Sequence, residues 1–187
     1  MAFATIDVTK GITGVTPVAN GGTALSSGFV NGGGITEADE WRVTSDFTTD
    51  NLSPIANNWE RNDNNFEKIG TGVSVSSGTW SFPSTGKWQI FFQGNWVRNG
   101  QTGYTFGKIN ISSDSGSNYS TVAQGHSACA NLSTNTYQML TAICIVDITN
   151  ISTHKIQFAV SGQADVIFQG NSGRNSVCAK FTKLGDT

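Results

Sequence analysis

The feature that most constrains this chain is an aromatic run at positions 78–96, GTWSFPSTGKWQIFFQGNW. Before its proline, Trp80 and Phe82 alternate with small polar residues, and after it Trp88 and Phe92 alternate with polar residues. An apolar period of two is typical of strands that bury one face. Three of the five Trp residues of the chain lie in this run. We therefore predict two strands joined by a turn, forming a hairpin in the core of a β domain.

The composition favours short strands joined by many turns. Of the 187 residues, 22 are Gly and only 13% are charged, whereas about a quarter of the residues in an average soluble protein are charged. Apolar residues recur with period two in several further runs, and no convincing long amphipathic helix is found. These runs predict about eight to ten short strands, with turn signals spaced as in all-β sandwiches.

A first strand is predicted around Trp41, directly after a short acidic cluster. This cluster is either half of a metal site or a solvated entry to the strand. The lack of further carboxylates nearby favours the solvated entry. The three acidic residues are Glu37, Asp39 and Glu40.

Two local features of the backbone are also predicted. The polar stretch 48–65 is expected to be a loop, in which Ser53 and Pro54 suit the cap and first position of one helical turn. The apolar residues on the two sides of Gly107 lie in opposite phases of one strand, which predicts a β-bulge at Gly107.

The run at positions 136–148 is apolar on both faces, unlike an ordinary strand of a two-layer sandwich. Phe91 likewise lies on the otherwise polar face of the strand that follows position 86. An uncovered apolar patch of this kind promotes association, so we predict burial between subunits. The predicted interface residues are Phe91, Tyr137, Met139, Ile143 and Ile145.

Residues 1–35 differ from the rest of the chain. They contain only Phe3 and Phe29 as aromatic residues and end in Gly-rich pieces. Such a segment buries too little apolar surface to offset its ordering entropy, so alone it is expected to be extended or disordered. It is either a terminus without a partner or an arm that is ordered by one.

The run at positions 16–25, TPVANGGTAL, resembles a stretch that recurs in tail-fibre and appendage proteins of tailed bacteriophages. That stretch reads Pro-Val-Ala-Asn-Gly-Gly-Thr-Gly, and this chain has Ala24 in place of its last Gly. The resemblance implies that the arm docks on a virion assembled in the host cytoplasm. The anchoring residues would be Pro17, Val18, Ala19, Asn20, Gly21, Gly22 and Thr23.

The aromatic run at 78–96 is similar to the central hairpin of C1q/TNF-like jelly rolls. The strand near Trp41, the double-faced strand at 136–148 and a last strand close to the C-terminus follow in the order expected for that family. The resemblance implies two antiparallel sheets and a compact homotrimer. We therefore predict an all-β C1q/TNF-like jelly-roll sandwich over residues 36–187, preceded by an extended Gly-rich N-terminal arm over residues 1–35.

The sequence contains no recognisable catalytic motif. His126 and His154, the two His residues, lie in no nucleophile or metal-ligand signature. The Asp residues are scattered, mostly at predicted turns, and no phosphate-binding loop is present. We therefore expect no enzymatic activity, no cofactor and no metal. The odd number and wide spacing of the cysteines predict buried free thiols; these are Cys129, Cys144 and Cys178.

Nucleic acid and membrane are not expected as partners. The net charge is −2 and the basic residues are scattered, which does not suit a surface that follows a phosphate backbone. No window is long and apolar enough for a membrane span, and the first residues do not form a signal peptide. Synthesis in a cytosol is therefore expected.

Four aromatic residues are candidates for stacking on sugar rings, although core packing explains most of them; they are Trp59, Trp96, Tyr104 and Tyr119.

These observations lead to two functional hypotheses. The first is a non-enzymatic structural virion protein, forming a homotrimeric short fibre, spike or capsid decoration whose arm binds other virion proteins. The alternative is a tail-fibre head that binds a receptor or glycan on the host surface through loops at 48–65 or 162–175. A depolymerase is the least favoured interpretation, because no catalytic arrangement is recognisable.

Overall fold

The computed structural model describes residues 34–48, 51–63, 66–99, 103–130, 134–163 and 165–187. Residues Ile35–Thr187 form one compact unit. The described residues form no helix, so none of them belongs to a helix that could cross a membrane. They form thirteen strands: β1 (Ala38–Val43), β2 (Phe47–Thr48), β3 (Asn51–Leu52), β4 (Trp59–Arg61), β5 (Ser74–Ser76), β6 (Thr79–Ser81), β7 (Gly86–Asn99), β8 (Gly103–Ser112), β9 (Ser120–Cys129), β10 (Asn135–Ile148), β11 (Lys155–Gly162), β12 (Ile167–Phe168) and β13 (Val177–Gly185).

The strands form two antiparallel sheets packed face to face. The first sheet has the order β2-β12-β7-β13-β1-β4, and β10 pairs with the other edge of β7. The second sheet has the order β5-β6-β11-β8-β9, and β3 pairs with β11. Three of the thirteen strands, β2, β3 and β12, are two-residue pairings. The predicted all-β sandwich of two antiparallel sheets is confirmed.

The predicted hairpin at 78–96 is wrong in its pairing but right in its burial. β6 pairs with β5 and β11 in the second sheet, whereas β7 belongs to the first sheet. The connection at residues 82–85 therefore crosses from one sheet to the other. Trp80 and Trp88 still point into the same core and have no exposed surface. Period two shows which face of a strand is buried, but it does not show which strand is the partner.

The core is centred on Trp80. Its ring lies 5.3 Å from that of Trp41 and 5.1 Å from that of Trp59, both nearly perpendicular to it. Phe181 of β13 and Phe158 of β11 lie 5.0 and 5.7 Å away. Edge-to-face contacts are favourable for aromatic rings because of their quadrupoles. The cluster joins β1, β4 and β13 of one sheet to β6 and β11 of the other.

The acidic cluster before Trp41 is not a solvated entry to the strand, contrary to expectation. Asp39 is only 3% exposed. Its carboxylate accepts hydrogen bonds from Arg61 Nε at 2.9 Å, Val73 N at 2.9 Å and Trp41 Nε1 at 3.0 Å. The Arg61 guanidinium also lies 4.5 Å from the Trp41 ring centre, a favourable cation–π distance. A buried carboxylate needs such partners, and Asp39 thereby ties β1 to β4 and to the chain at residue 73.

The predicted helical turn at Ser53 and Pro54 is also absent. The described part of the stretch 48–65 contains β3 and β4 rather than an uninterrupted loop. Ile55 is buried, and its backbone N–H donates to the carbonyl of Phe158 at 2.8 Å. The segment therefore packs along β11, and this tertiary contact outweighs the local cap signal.

The bulge predicted at Gly107 lies elsewhere. The register between β8 and β9 shifts between Ile109 and Asn110, with Val122 as the extra residue of β9. Around Gly107 the alternation is unbroken, because the apolar residues before it face outward and Ile109 faces the core. Gly107 faces the core too, where a Cβ would lie 2.2 Å from Leu140 Cδ1. Glycine is needed here for close packing between the sheets.

β9 and β10, each the last strand of its sheet, touch each other. A Cβ on Gly125 of β9 would lie 1.8 Å from the carbonyl oxygen of Thr141 in β10. Only glycine permits this approach of one backbone to the other. The contact closes the sandwich on this side.

Candidate functional site

The candidate site is the outer face of the first sheet around β7 and β10. The two strands pair along their full length, from Gly86 opposite Ile148 to Asn99 opposite Asn135. On β7, Ile90 and Phe92 point into the core with no exposed surface, and Phe91 between them points outward and is half-buried. The pleat of a strand makes this alternation obligatory.

The outward positions of β10 carry large apolar side chains. Tyr137 is 62% exposed, Met139 55%, Ile143 56% and Ile145 62%. Ile143 lies directly opposite Phe91 in the register, and directly opposed residues share one face of the sheet. We call these five residues the outer apolar face. The structure thus brings all five predicted interface residues to one surface, and their burial against another copy stays a prediction.

Two shallow depressions lie on this surface. One, of about 300 Å³, is lined by Gln89, Phe91, Ile143, Lys180 and Thr182. The other, of about 410 Å³, is lined by Asn95, Tyr137, Gln138, Met139 and Gln169. The linings combine apolar side chains with amides and, in the first depression, with the Lys180 amine and the Thr182 hydroxyl.

Next to the apolar face, the outer surface of the first sheet becomes polar. Lys180 of β13 lies opposite Glu40 of β1, and its Nζ is 2.8 Å from Glu40 Oε2. Burial alone would raise the pKa of Glu40, but hydrogen bonds from Lys180, Asn62 and Asn175 outweigh it and lower the pKa. The hydrogen bond to Glu40 raises the pKa of Lys180. Both groups are therefore held in their charged forms.

Arg42 extends this polar surface toward β4. Its guanidinium is 1% exposed, and it donates to Glu60 Oε2 at 3.1 Å, to Asn62 Oδ1 at 3.0 Å and to Asp63 Oδ1. A buried guanidinium needs several acceptors to offset its lost hydration. The outer surface therefore has an apolar half on β7 and β10 and a charged half on β13, β1 and β4.

The histidines do not form a catalytic arrangement. His126 Nε2 lies 2.8 Å from Gln124 Nε2, and the His126 ring contacts Phe106. His154 Nδ1 lies 3.0 Å from the carbonyl oxygen of Asn150. Within the described parts of the chain, no group of three His, Cys, Asp or Glu side chains is arranged to hold a metal ion.

The three cysteines are free thiols that are at least half-buried. Cys129 and Cys178 are buried and Cys144 is half-buried. Burial raises the pKa of Cys144 to about 11 and, together with the nearby Glu40, raises that of Cys178 to about 11 despite Lys180. A thiol with so high a pKa is a poor nucleophile at neutral pH, because the thiolate is the reactive form.

No protein-family model matches the chain, and no curated protein matches it in sequence. Solved structures do resemble it. Murine APRIL, crystallised at pH 8.5, superposes with a TM-score of 0.56 at 10% identity, covering 79% of this chain and 98% of that chain. The Eiger TNF of S. frugiperda superposes with a TM-score of 0.59 at 11% identity, covering 80% and 93%. The domain is a TNF-like jelly roll.

This fold was predicted from the aromatic run and the order of the strands, and that prediction is confirmed. At 10–11% identity the likeness concerns the fold alone. The anchoring segment predicted at Pro17–Thr23 lies outside the described residues. Of the arm predicted at 1–35, only Gly34 and Ile35 are described.

The candidate sugar-stacking residues separate into two groups. Trp96 is fully buried, Trp59 is half-buried and packs against the core, and Tyr119 is half-buried directly before β9. Tyr104 is 48% exposed on the outer face of the second sheet. The alternation of the sequence places Tyr104 and Phe106 on one face, but it does not show that His126 of β9 lies opposite Phe106, because strand pairing is not a local property.

Proposed function

We propose that this protein is a non-enzymatic, homotrimeric structural protein of a tailed-phage virion. The observation that supports an oligomer is the exposure of the outer apolar face, in which four side chains are more than half exposed. Monomeric soluble proteins rarely expose a contiguous apolar patch of this kind. The patch lies on the two longest strands, so it is a rigid surface suited to a permanent interface.

A homotrimer is the assembly that best fits this surface. The apolar half lies at one end of the first sheet and the charged half at the other, so the face is not symmetric about its own centre. In a cyclic assembly of more than two copies, each contact is formed by two different surface patches. The apolar half of one copy would then pack against a different surface of the next copy. The resemblance to C1q/TNF-like domains supports three copies.

The virion setting rests on the arm. The run at 16–25 resembles phage tail-fibre and appendage segments, and residues 1–35 are too poor in aromatic residues to form a core of their own. Three arms on one trimer bind with avidity, so each needs only modest affinity for the particle. The protein thus serves as a short fibre, spike or capsid decoration.

The test compares the full chain with a variant lacking residues 1–34. Both are expressed in infected cells, and their presence in purified particles is measured by mass spectrometry. We expect the truncated protein to form the same trimer in solution but to be absent from particles. Incorporation that survives the deletion would remove the anchoring role, and absence of the full chain from every particle preparation would remove the virion assignment.

The alternative function, binding of a host receptor or glycan, is favoured by a separate observation. The outer face of the second sheet carries Tyr104 at 48% exposure, beside the half-buried Phe106. Binding to host cells by the purified full chain tests this function independently of particle assembly.

A further inference from the structure

An aromatic strip runs along the outer face of the second sheet and shares no residue with the outer apolar face. It consists of Tyr104, Phe106 and Lys108 on β8 and of Gln124 and His126 on β9. The register places Phe106 opposite His126 and Lys108 opposite Gln124, so these side chains share one face. The residues between them on β8 are buried, as expected for the opposite face.

The aromatic rings of the strip contact one another edge to face. The Tyr104 and Phe106 rings are 5.6 Å apart at 72°, and the Phe106 and His126 rings are 4.5 Å apart at 79°. Because the rings stand on paired strands rather than on a loop, little conformational entropy remains to be lost on binding. The exposed part of Tyr104 offers a flat apolar surface beside a hydroxyl group, the combination that makes tyrosine effective at binding surfaces.

Polar groups flank the rings on one side. The side chains of Gln124 and His126 lie 2.8 Å apart, which orients an amide and an imidazole beside the aromatic surface. Lys108 adds a cation opposite Gln124. Among the described residues, none of those on this face of the strip and the paired strands is acidic; these are Tyr104, Phe106, Lys108, Asn110, Gln124, His126, Ala128, Gln157, Ala159 and Ser161.

This charge pattern distinguishes between ligand classes. A purely apolar partner would bury the Lys108 ammonium and the remaining polar atoms of Gln124 and His126 without hydrogen bonds across the contact. Tyr104 and Lys108 lie four residues apart on β8, a span of about 13 Å, so the matching ligand is an acidic oligosaccharide rather than a single sugar. The C–H face of one ring packs on Tyr104, hydroxyls bond to Gln124 and His126, and the carboxylate of another ring is attracted to Lys108.

We propose that the aromatic strip binds an acidic carbohydrate, with a sugar ring stacked on Tyr104 and a sugar carboxylate beside Lys108. The site uses a face of the second sheet and no residue of the outer apolar face. It therefore functions in a single copy of the chain and does not depend on the proposed trimer or on the virion assignment.

The test measures binding of the full chain by isothermal titration calorimetry at low salt. The acidic probes are oligogalacturonate and sialyllactose, and the neutral probe is dextran. We expect saturable binding to at least one acidic probe and none to dextran. Tyr104→Ala should weaken binding about tenfold, Tyr104→Phe should retain it, and Lys108→Gln should weaken it about two- to fivefold.

Lys87→Gln is the matched control, because Lys87 is an exposed lysine on the first sheet. It should bind as the wild type does. Absence of saturable binding to both acidic probes overturns the proposal, as does equal binding of dextran. Equal losses of affinity in Lys87→Gln and Lys108→Gln would show that the acidic probes are attracted non-specifically to positive charge, and this would also overturn the proposal.

Discussion

Ile143→Asp is the sharpest perturbation of the proposed trimer. Ile143 is 56% exposed, lies opposite Phe91 on β7 and sits near the middle of the outer apolar face. Its side chain points away from the core, so the substitution leaves the packing between the sheets in place. An effect on assembly can then be separated from an effect on folding.

The expected loss of trimer stability follows from the exposed fraction of the Ile143 side chain. Complete burial of an isoleucine contributes about 1.5–3 kcal/mol, so covering the remaining 56% contributes about 0.8–1.7 kcal/mol per copy. Three copies give about 2.5–5 kcal/mol. Each aspartate adds an unpaired group to the interface at a further cost of about 1–3 kcal/mol. The two contributions total at least about 5.5 kcal/mol for three copies. Since 1.4 kcal/mol is about tenfold in an equilibrium constant, the trimer dissociation constant should rise at least about ten-thousandfold.

The assay is sedimentation equilibrium over a wide range of protein concentration, with circular dichroism to verify unchanged strand content. Ile151→Asp is the matched control, because Ile151 is 40% exposed in the turn after β10 and lies outside the outer apolar face. We expect the wild type and Ile151→Asp to be trimers and Ile143→Asp to dissociate. A monomeric wild type, or a folded Ile143→Asp trimer of undiminished stability, would refute the reasoning.

Three further predictions concern stability, titration and reactivity. Gly107→Ala should destabilise the domain by about 1–3 kcal/mol through overpacking. The control Gly185→Ala, with no atom within 4 Å of the new Cβ, should change stability by less than about 0.5 kcal/mol. Urea unfolding at fixed protein concentration compares the two variants, and equal effects would contradict the packing argument. Hydrogen bonds from Ser112 and Asn118 lower the pKa of Asp114 from 3.8 to about 2, so this stabilisation is present above pH 3.8 and is lost as the pH falls through about 2. Ser112→Ala should move the NMR titration midpoint of Asp114 upward, and an unmoved midpoint would contradict the assignment. Cys178, with a pKa of about 11, should react with a thiol reagent only after unfolding, and rapid reaction in the native state would show that its burial is incomplete.

The sequence predicted the burial of side chains more accurately than it predicted the pairing of strands. Trp80 and Trp88 are buried and Tyr137 and Ile143 point outward as their alternation indicates, because the pleat alone determines the face. The pairing of β6 with β11 is not local, since Ile156 lies opposite Trp80. Nothing in the local pattern distinguishes this crossing from a hairpin.

The polar interactions were the least predictable part. The acidic residue Asp39 is buried because Arg61, which lies 22 positions further along the chain, reaches its carboxylate. A charged residue in a sequence is ordinarily taken as exposed. Only the three-dimensional pairing of β1 with β4 brings the two charges together. The same holds for Lys180 and Glu40, which the pairing of β13 with β1 places opposite each other.

The contact between Gly125 and Thr141 bears on how copies of this chain associate. Within the described residues β10 pairs only with β7, so a long strand with apolar outer residues lies at the end of its sheet. Such a strand is a template for the addition of further strands and for open-ended aggregation. The backbone of β9, held against β10 at Gly125, obstructs that approach. The proposed trimer would thereby form through the faces of the sheets, where an assembly can close upon itself and stop growing.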